Sequence, residues 1–332
     1  MSSYKASLEA AARFLHEHEH FLVVNHVNPD GDATGSLLAM KWLLDGLGKQ
    51  TTLVNEGETP AKFMFLPGAD EIVSASAQAE HHTYDVVITC DCADFARVGE
   101  VAQWFTPGRM LLNIDHHPTN DLFGTTNLVR VDAAATAEVI FDLIKHMELS
   151  MNKELATCLY TGLLTDTGGF RYSNTSPHVM EAASDLLVHG VESGAIAERM
   201  LESITKAHVK LLQRALQTLQ LSDDDQAAYL TVTLSDIDET GASNEDTEGL
   251  VNYGRNIEGV EVGVLFKEVA DGKVKVSFRS RSQVDVAAIA QSLGGGGHVR
   301  AAGCTVAGAL ADIQAAVAQK VSAALRECGD QA

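Results

Sequence analysis

The sequence predicts an α/β protein with two domains: an N-terminal domain on a mostly parallel sheet, and a smaller α/β C-terminal domain. Three observations support this fold class. The chain has 332 residues, enough for about two domains of ordinary size. Short continuous apolar runs alternate with helical patterns in its first half, which is typical of parallel strands buried on both faces. After about residue 225 the pattern changes to strands joined by a hairpin signal.

The N-terminal domain is predicted to cover residues 1–190. Its strands are continuous apolar runs, such as Phe21-Leu22-Val23-Val24, and are predicted at 21–24, 51–54, 86–90 and 111–114. Its helices are predicted at 4–18, through Leu37 and Leu44 to about Gly48, and at about 135–147, 152–164 and 177–189. The alternation places helices on both faces of the sheet.

Residues 191–225 are predicted to form a polar-faced helical linker that ends in the acidic turn Asp223-Asp224-Asp225. The C-terminal domain is then predicted over 226–332. Its expected strands are Tyr229 to Leu234, Val260 to Glu268 and Lys273 to Arg281. The last two flank Asp271-Gly272, a typical hairpin turn.

Composition excludes several classes of protein. Hydrophobic residues make up 45% of the chain, which is enough to bury a core and argues against disorder. No apolar run is long enough to span a bilayer. The N-terminal stretch lacks the apolar centre of a secretory signal, so a cytoplasmic protein without membrane contact is expected. The five cysteines are too few and too scattered for a disulfide framework.

The formal net charge of −21 argues against a protein that holds long duplex nucleic acid through its phosphates. It does not exclude a small phosphorylated substrate, because bound divalent cations and a local basic strip can make the electrostatic potential positive at the substrate site. Residues 255–300 contain seven basic and five acidic residues, a local charge of +2.

Acidic and histidine side chains concentrate where the predicted segments of the first domain end. In an open α/β sheet, ligands bind beyond the carboxyl ends of the strands, so these side chains are expected to meet at one rim. Each motif alone has a simpler explanation: Asp-Gly after a strand is normally a turn, and a lone Asp often caps a helix. Together they predict a site for two divalent cations. The candidate ligands are His26, Asp30, Asp32, Asp91, His116 and Asp166.

The same residues resemble the ordered motifs of the DHH phosphoesterases. The matching stretches are Asn28-Pro29-Asp30-Gly31-Asp32, Asp91, Asp115-His116-His117 and Thr165-Asp166-Thr167-Gly168. Farther along, the run from Gly294 to His298 and Ala301-Ala302-Gly303 resemble the signature of the DHH-associated domain. The resemblance spans nearly the whole chain and implies an active site in the cleft between the two domains.

The resemblance also implies roles for the residues. His26, Asp30 and Asp91 would hold one metal ion. The other ion would be held by Asp32, Asp91, His116 and Asp166, with Asp91 as the bridge. Asp115 would orient His116, and His117 would lie beside the reacting phosphate as a catalytic group. The ions expected are Mn²⁺, with Mg²⁺ or Co²⁺ as alternatives.

Substrate contacts are implied in the second domain. Arg279 and Ser280 match the pair with which the family grips substrate phosphate, and arginine suits bidentate phosphate contacts. Gly295, Gly296 and Gly297 are expected to form a loop whose bare backbone approaches a nucleotide, with His298 contacting its phosphate or base. The alternation in 273–281 places Lys273 and Lys275 on the same face as Arg279, where a simple solvated edge strand would look the same.

The family branch most similar to this chain degrades very short single-stranded RNA and often dephosphorylates nucleoside bisphosphates such as 3′-phosphoadenosine 5′-phosphate (PAP). The resemblance therefore implies a phosphoric ester hydrolase, with a homodimer as its possible assembly. Two alternatives stay open. One is a phosphodiesterase for cyclic di-AMP or its linear product pApA, and the other is a nucleotide-binding regulatory module without catalysis.

Overall fold

The computed structural model describes residues 3–78 and 82–329, and the chain divides into two units, one ending at Ser203 and one beginning at Ile204. Predictions that touch residues 1–2 and 330–332 lie outside the described residues. The division falls within 191–225, and the helices on either side of it pack within their own units.

The first unit is a six-stranded parallel sheet flanked by helices, which confirms the predicted fold class. Its strands are β1 His20–Val24, β2 Gln50–Asn55, β3 Val73–Ser74, β4 Tyr84–Cys90, β5 Phe105–Asp115 and β6 Thr126–Val129. Its α-helices are α1 Tyr4–Glu17, α2 Gly31–Gly46, α3 Thr136–His146, α4 Lys153–Asp166, α5 Pro177–Val188 and α6 Ser193–Ala197.

Helices α2 and α4 are central to this unit. Asp30 caps the N-terminus of α2 by accepting from the backbone N–H groups of Asp32 and Ala33, and Asn152 caps α4 through Leu155 N–H. Nearly all of α2 is buried, because it carries few polar side chains and packs directly on α4. A helix that is apolar on most sides belongs in the interior.

The strand order of the first sheet is β3-β2-β1-β4-β5-β6. The order reverses between β1 and β4, which pair in parallel through Leu22 to Val24. In a doubly wound sheet the ligand crevice opens at this reversal, beyond the carboxyl ends of the two strands. Two of the predicted metal ligands follow these strands: His26 lies two residues beyond β1, and Asp91 comes directly after β4.

The second unit is a mixed sheet. Its strands are β7 Gln220–Leu221, β8 Ala227–Val232, β9 Val262–Val269, β10 Lys273–Ser280, β11 Gly296–His298 and β12 Ala301–Ala307, in the order β11-β12-β10-β9-β8-β7. Among the strand pairs of the described residues, β8/β9 is parallel and the others are antiparallel. Its α-helices are α7 Lys206–Gln217, α8 Leu234–Thr240, α9 Leu250–Arg255, α10 Val286–Gln291 and α11 Leu310–Gly329.

The second unit corrects two expectations. The strand predicted to reach Leu234 ends at Val232, because Thr233 and Asp236 form a capping box that starts α8. The glycine run is not only a loop, since Gly296–His298 pairs with β12 as a strand. The hairpin at Asp271-Gly272 is confirmed: both residues have positive φ, as the tight turn requires.

Among the described residues, no helix is long and apolar enough to cross a membrane.

Candidate metal centre

The first unit brings the six candidate ligands together at the reversal of its sheet. His26 follows β1, Asp30 and Asp32 open α2, and Asp91 comes directly after β4. His116 follows β5, and Asp166 is the last residue of α4 rather than the end of a strand. Three separate strand ends and two helix ends therefore converge on one place.

Asp91 lies at the middle of this group. Its Oδ2 is 3.4 Å from His26 Nε2, and its Oδ1 is 3.6 Å from His116 Nε2. His116 Nε2 also lies 3.5 Å from Asp166 Oδ2. Asp91 is 2% exposed, so its carboxylate is almost entirely enclosed by these partners.

The donor atoms fall into sets that would each suit a cation. His26, Asp30 and Asp91 present atoms within 4.8 Å of one another, and so do Asp32, His116 and Asp166. A third set joins Asp91 and His116 to His117. Mixed imidazole and carboxylate ligands are typical of Mn²⁺, Zn²⁺ and related ions.

The histidines are oriented to offer the same ring nitrogen. His26 Nδ1 donates to Val27 O at 2.8 Å, and His116 Nδ1 donates to Ala133 O at 3.2 Å. Each bond fixes the ring so that Nε2 faces the carboxylates. A metal-binding histidine usually donates the N–H of its other ring nitrogen to a backbone carbonyl or a carboxylate.

The electrostatics also favour bound cations. Burial, together with the charges of Asp91 and Asp30, raises the pKa of Asp32 well above its usual range. Burial and the nearby carboxylates, Asp32 first among them, raise the pKa of Asp166 in the same way. Several carboxyl groups crowded out of water repel one another when ionised, and positive ions between them relieve that repulsion. The donor set therefore fits a pair of divalent metal ions.

Asp91 behaves differently from these two carboxylates. Burial acts to raise its pKa, but the hydrogen bond from His26 and the neighbouring histidines hold that pKa well below the usual value. Its backbone is unusual as well, because φ is +61° at a residue other than glycine. Backbone strain of this kind persists where the surroundings enforce it, often at functional sites.

His117 is held by Asp115, which corrects one expectation. Asp115 Oδ1 accepts from His117 Nδ1 at 2.8 Å, whereas His116 takes the Ala133 carbonyl instead. Residues two apart on extended chain point to the same side, so Asp115 can reach His117 but not His116. Asn120 donates to the second Asp115 oxygen at 2.6 Å and fixes the carboxylate in turn.

The segment 133–137, at the start of α3, was missed by the sequence analysis. We call it the α3 entry segment. Besides holding His116 through Ala133, it donates the N–H groups of Thr136 and Ala137 to Asp32 at 2.6 and 3.0 Å. The Thr136 hydroxyl donates to Asp91 Oδ1 at 2.9 Å. Three candidate ligands are thus positioned by one short stretch.

Glu138 and Asn174 form hydrogen bonds to the α3 entry segment. Glu138 accepts from Ala134 N–H at 2.6 Å and lies 3.2 Å from Arg130 Nη1. Asn174 donates to the carbonyls of Ala134 and Asp166 at 3.3 and 3.1 Å. The only sequence signal available was a Thr-Ala-Glu run opening a predicted helix, which ordinarily indicates helix capping alone.

Glycine allows α4 to approach the site. A Cβ on Gly162 would lie 2.6 Å from Asp32 Oδ1 and 2.7 Å from the Ala137 side chain. A Cβ on Gly31 would overlap the Thr165 side chain. The close packing of α2 on α4 beside the ligands therefore depends on residues without side chains.

The substrate-binding candidates lie in the second unit. Arg279 is half-buried on the outer face of β10, whereas Ser280 is 4% exposed on the opposite face. The Ser280 hydroxyl donates to Val299 O at 3.4 Å, and its N–H donates to Arg300 O. Ser280 thus fixes the backbone between β11 and β12.

The three glycine candidates differ in their steric surroundings and backbone conformation. A Cβ on Gly295 would collide with Gly303 and Cys304, and Gly297 has φ +140° and lies against Ala301 and Ala302. Close approach by β12 accounts for both. Gly296 has open space around it and ordinary φ. His298, at the end of β11, is exposed.

The two halves of the chain match known domains. The N-terminal domain of the DHH family matches residues 20–163, and the DHHA1 domain matches residues 224–325. The first match contains five of the six candidate ligands together with Asp115 and His117 and ends before Asp166. The second contains every substrate-binding candidate.

Curated relatives align over most of the chain. It is 36% identical to the bifunctional oligoribonuclease and PAP phosphatase NrnA of Thermus thermophilus, over 86% of this chain and 84% of that protein. It is 28% identical to the protein of that name from Bacillus subtilis, over 89% and 91%. The crystal structure of an exopolyphosphatase-related protein from Bacteroides fragilis has a TM-score of 0.88 at 24% identity, covering 97% of this chain and 96% of that one. This last likeness concerns the fold.

Proposed function

The chain belongs to the DHH family of phosphoesterases, and from that premise we propose that it hydrolyses very short RNA to mononucleotides and PAP to AMP. The observation that carries the proposal is the meeting of two ligand sets around Asp91, His26–Asp30–Asp91 and Asp32–His116–Asp166. The relatives named for both activities, which align over most of the chain, support the choice of substrates.

The family's phosphoesterases are metal-dependent, and we propose Mn²⁺ as the ion used here. His26, Asp30 and Asp91 would hold one ion, and Asp32, Asp91, His116 and Asp166 the other, with Asp91 shared. When bound, such a pair supplies Lewis-acid stabilisation of the phosphate charge and makes water a better nucleophile. The protein's own contribution is to fix the ligands through the α3 entry segment.

His117 is proposed as the proton donor to the leaving oxygen. Asp115 holds its Nδ1, so the proton delivered would be the one on Nε2. Burial acts to lower the pKa of His117, but the Asp115 hydrogen bond and the charge of Asp91 raise it overall.

Arg279 and His298 are proposed to hold a substrate phosphate. Both pair in register with Ala301 of β12, Arg279 from β10 and His298 from β11. In-register residues of neighbouring strands share a face, so the two side chains leave one surface from backbone positions about 10 Å apart. Gly296 leaves room on the same strand, and Ser280 fixes the neighbouring backbone.

One experiment tests the proposal. Purified protein with Mn²⁺ is given PAP, a pentaribonucleotide, pApA, cyclic di-AMP, pyrophosphate and a long RNA side by side. We expect turnover of PAP and the pentaribonucleotide and little of pyrophosphate or long RNA. Preference for cyclic di-AMP or pApA would replace the proposal with that phosphodiesterase. Binding of Mn²⁺ and nucleotides without any turnover would make the chain a regulatory module.

Three further proposals concern the protein's assembly, its binding of long nucleic acid and its location in the cell. We propose a homodimer, no binding of long duplex nucleic acid and action in the cytoplasm. The net charge of −21 supports the second of these. Sedimentation velocity tests the dimer, and a mobility-shift assay with duplex DNA and RNA tests the second proposal. Fluorescence microscopy of the tagged chain tests the third.

A further inference from the structure

The α3 entry segment contacts one of the two ligand sets through its backbone. One of its carbonyls accepts from His116 Nδ1 at 3.2 Å, and two of its N–H groups donate to Asp32 at 2.6 and 3.0 Å. Asn174 Nδ2 donates both to a carbonyl of the segment and to Asp166 O, at 3.3 and 3.1 Å. All three members of the set Asp32–His116–Asp166 are therefore tied to this one stretch of backbone.

The other set, His26–Asp30–Asp91, is held mainly by its own neighbours. His26 Nδ1 donates to the carbonyl of the next residue, and Asp30 caps α2. Asp91 accepts from the Thr136 hydroxyl, but this contact comes from a side chain that can rotate to follow its partner. A shift of the segment's backbone should therefore disturb Asp32, His116 and Asp166 far more than His26 and Asp30.

Glu138 fixes the backbone of the segment. Its Oε2 accepts from Ala134 N–H at 2.6 Å, and the two residues are only 0% and 1% exposed. A hydrogen bond to a carboxylate is stronger than one between neutral groups, and a buried N–H that loses its acceptor is costly. Without Glu138, the segment would have to move to bring this N–H to another acceptor or to water, and its contacts with the ligands would move with it.

Arg130 keeps Glu138 in place. Its Nη1 lies 3.2 Å from Glu138 Oε1 and 2.9 Å from Asp142 Oδ2. Asp142 also accepts from the Tyr4 hydroxyl and lies 2.8 Å from His178 Nε2, so α1 and α5 support the same group of charges. A buried charge is costly unless it is paired. That a paired, buried carboxylate holds one backbone N–H beside the metal centre favours a role at the centre over simple helix capping.

We propose that the α3 entry segment, held by Glu138 on one side and by Asn174 on the other, positions the ligands of one metal ion only, the ion of Asp32–His116–Asp166. Glu138 and Asn174 are then positioning residues that touch neither ion nor substrate. The inference rests on the proposed function, because it assumes the two ion positions assigned there.

Titration of metal-free protein with Mn²⁺, followed by the electron paramagnetic resonance of the free ion, counts the bound ions without substrate. We expect two ions in the wild type. Glu138→Leu removes the acceptor and should weaken one ion about tenfold or more, while the other keeps its wild-type affinity. Glu138→Gln keeps an oxygen for Ala134 N–H and should retain both ions. Tyr4→Phe, which removes a hydrogen bond at the far end of the same group of charges, is the matched control and should change neither affinity.

Combined variants identify the affected ion. Asp166→Asn removes a ligand of the same set, so Glu138→Leu/Asp166→Asn should still bind one ion with wild-type affinity. Asp30→Asn changes the other set while asparagine can still cap α2, so Glu138→Leu/Asp30→Asn should weaken both ions. Asn174→Ala changes an exposed residue and should weaken the same single ion as Glu138→Leu.

Two ions of wild-type affinity in folded Glu138→Leu, or equal weakening of both, would overturn the proposal. If circular dichroism shows that Glu138→Leu does not fold, Asn174→Ala decides in its place, and unchanged affinities there would overturn it. A wild type that binds two ions but hydrolyses neither PAP nor short RNA would overturn the proposed function and leave the positioning role standing, so the two failures are distinguishable.

Discussion

The Thr136 hydroxyl donates a hydrogen bond to Asp91 Oδ1 at 2.9 Å, joining the start of α3 to the carboxylate that lies between His26 and His116. Both residues are fully or almost fully buried. Thr136→Val removes the hydroxyl while keeping the shape of the side chain. We expect it to weaken Mn²⁺ binding about tenfold, since partners that orient metal ligands usually contribute that much or more.

Isothermal titration with Mn²⁺ measures this effect. Thr136→Ser keeps the hydroxyl and serves as the control, with affinity near that of the wild type. Unchanged affinity in Thr136→Val would show that the bond to Asp91 has no part in holding the ligand.

Asp91→Asn tests the shared ligand. Asparagine tolerates the positive φ of this position better than most residues, so the variant should fold. We expect turnover of PAP and of short RNA to be lost together, because both proposed ion positions lose a carboxylate ligand. Circular dichroism in EDTA checks the fold, and Mn²⁺ titration checks stoichiometry. Full activity would remove Asp91 from the centre.

His117→Ala separates a proton donor from a metal ligand. If His117 donates a proton through Nε2, the variant should bind two Mn²⁺ ions while kcat falls by about 10²–10⁴-fold. Its contact with Asp115 would be lost without moving His116, which is held by Ala133. Loss of one bound Mn²⁺, measured by titration, would show instead that His117 is a ligand.

Gly162→Ala tests the packing of α4 on α2. The added methyl would lie 2.6 Å from Asp32 Oδ1, so we expect a loss of about 1–3 kcal/mol in the free energy of unfolding and weaker Mn²⁺ binding. Gly46→Ala in α2 is the matched control, because its Cβ would meet nothing within 4 Å. That change should stabilise by about 0.4–1 kcal/mol. Urea denaturation in EDTA measures both variants.

The Glu261 carboxylate should make the folding stability of the second unit depend on pH. Burial acts to raise its pKa, but hydrogen bonds from the backbone N–H groups of Ser282, Gln283 and Val284 lower it overall. A carboxyl whose pKa is lowered by folding contributes stability above its unfolded value and loses it as pH falls through the folded value. Glu261→Gln should therefore destabilise the protein at pH 7 and much less at pH 3.

Thermal unfolding of Glu261→Gln and the wild type across pH 3–7 measures this difference. Glu258→Gln, at an exposed position three residues earlier, is the control. A difference in Tm that is the same at every pH would show that Glu261 acts through packing and not through its charge.

Sequence patterns predicted the first sheet well because its central strands are continuous apolar runs. The strands β1, β2, β4 and β5 were all expected, whereas the two-residue β3 and the edge strand β6 were not. Short edge strands have little apolar pattern to distinguish them from turns. In the second unit, the glycines of β11 resemble a loop because glycine seldom favours a strand.

The candidate metal centre was likewise predicted from the sequence only in part. The convergence of Asp91 with the histidines followed from carboxyl strand ends meeting at one edge. The α3 entry segment could not be predicted, because it acts largely through backbone groups of Ala133, Thr136 and Ala137, which no side-chain pattern reveals. Local geometry likewise decided which histidine Asp115 contacts.

All six candidate ion ligands lie at or before Asp166, whereas the proposed phosphate contacts, Arg279 and His298, lie in β10 and β11. The groups that would activate water and those that would recognise the nucleotide thus belong to two different compact units of one chain. Because the two sets of groups lie in different units, substitutions in the second unit can change substrate choice without disturbing the chemistry of the first. An enzyme built this way can diversify while its ion-holding half stays nearly constant.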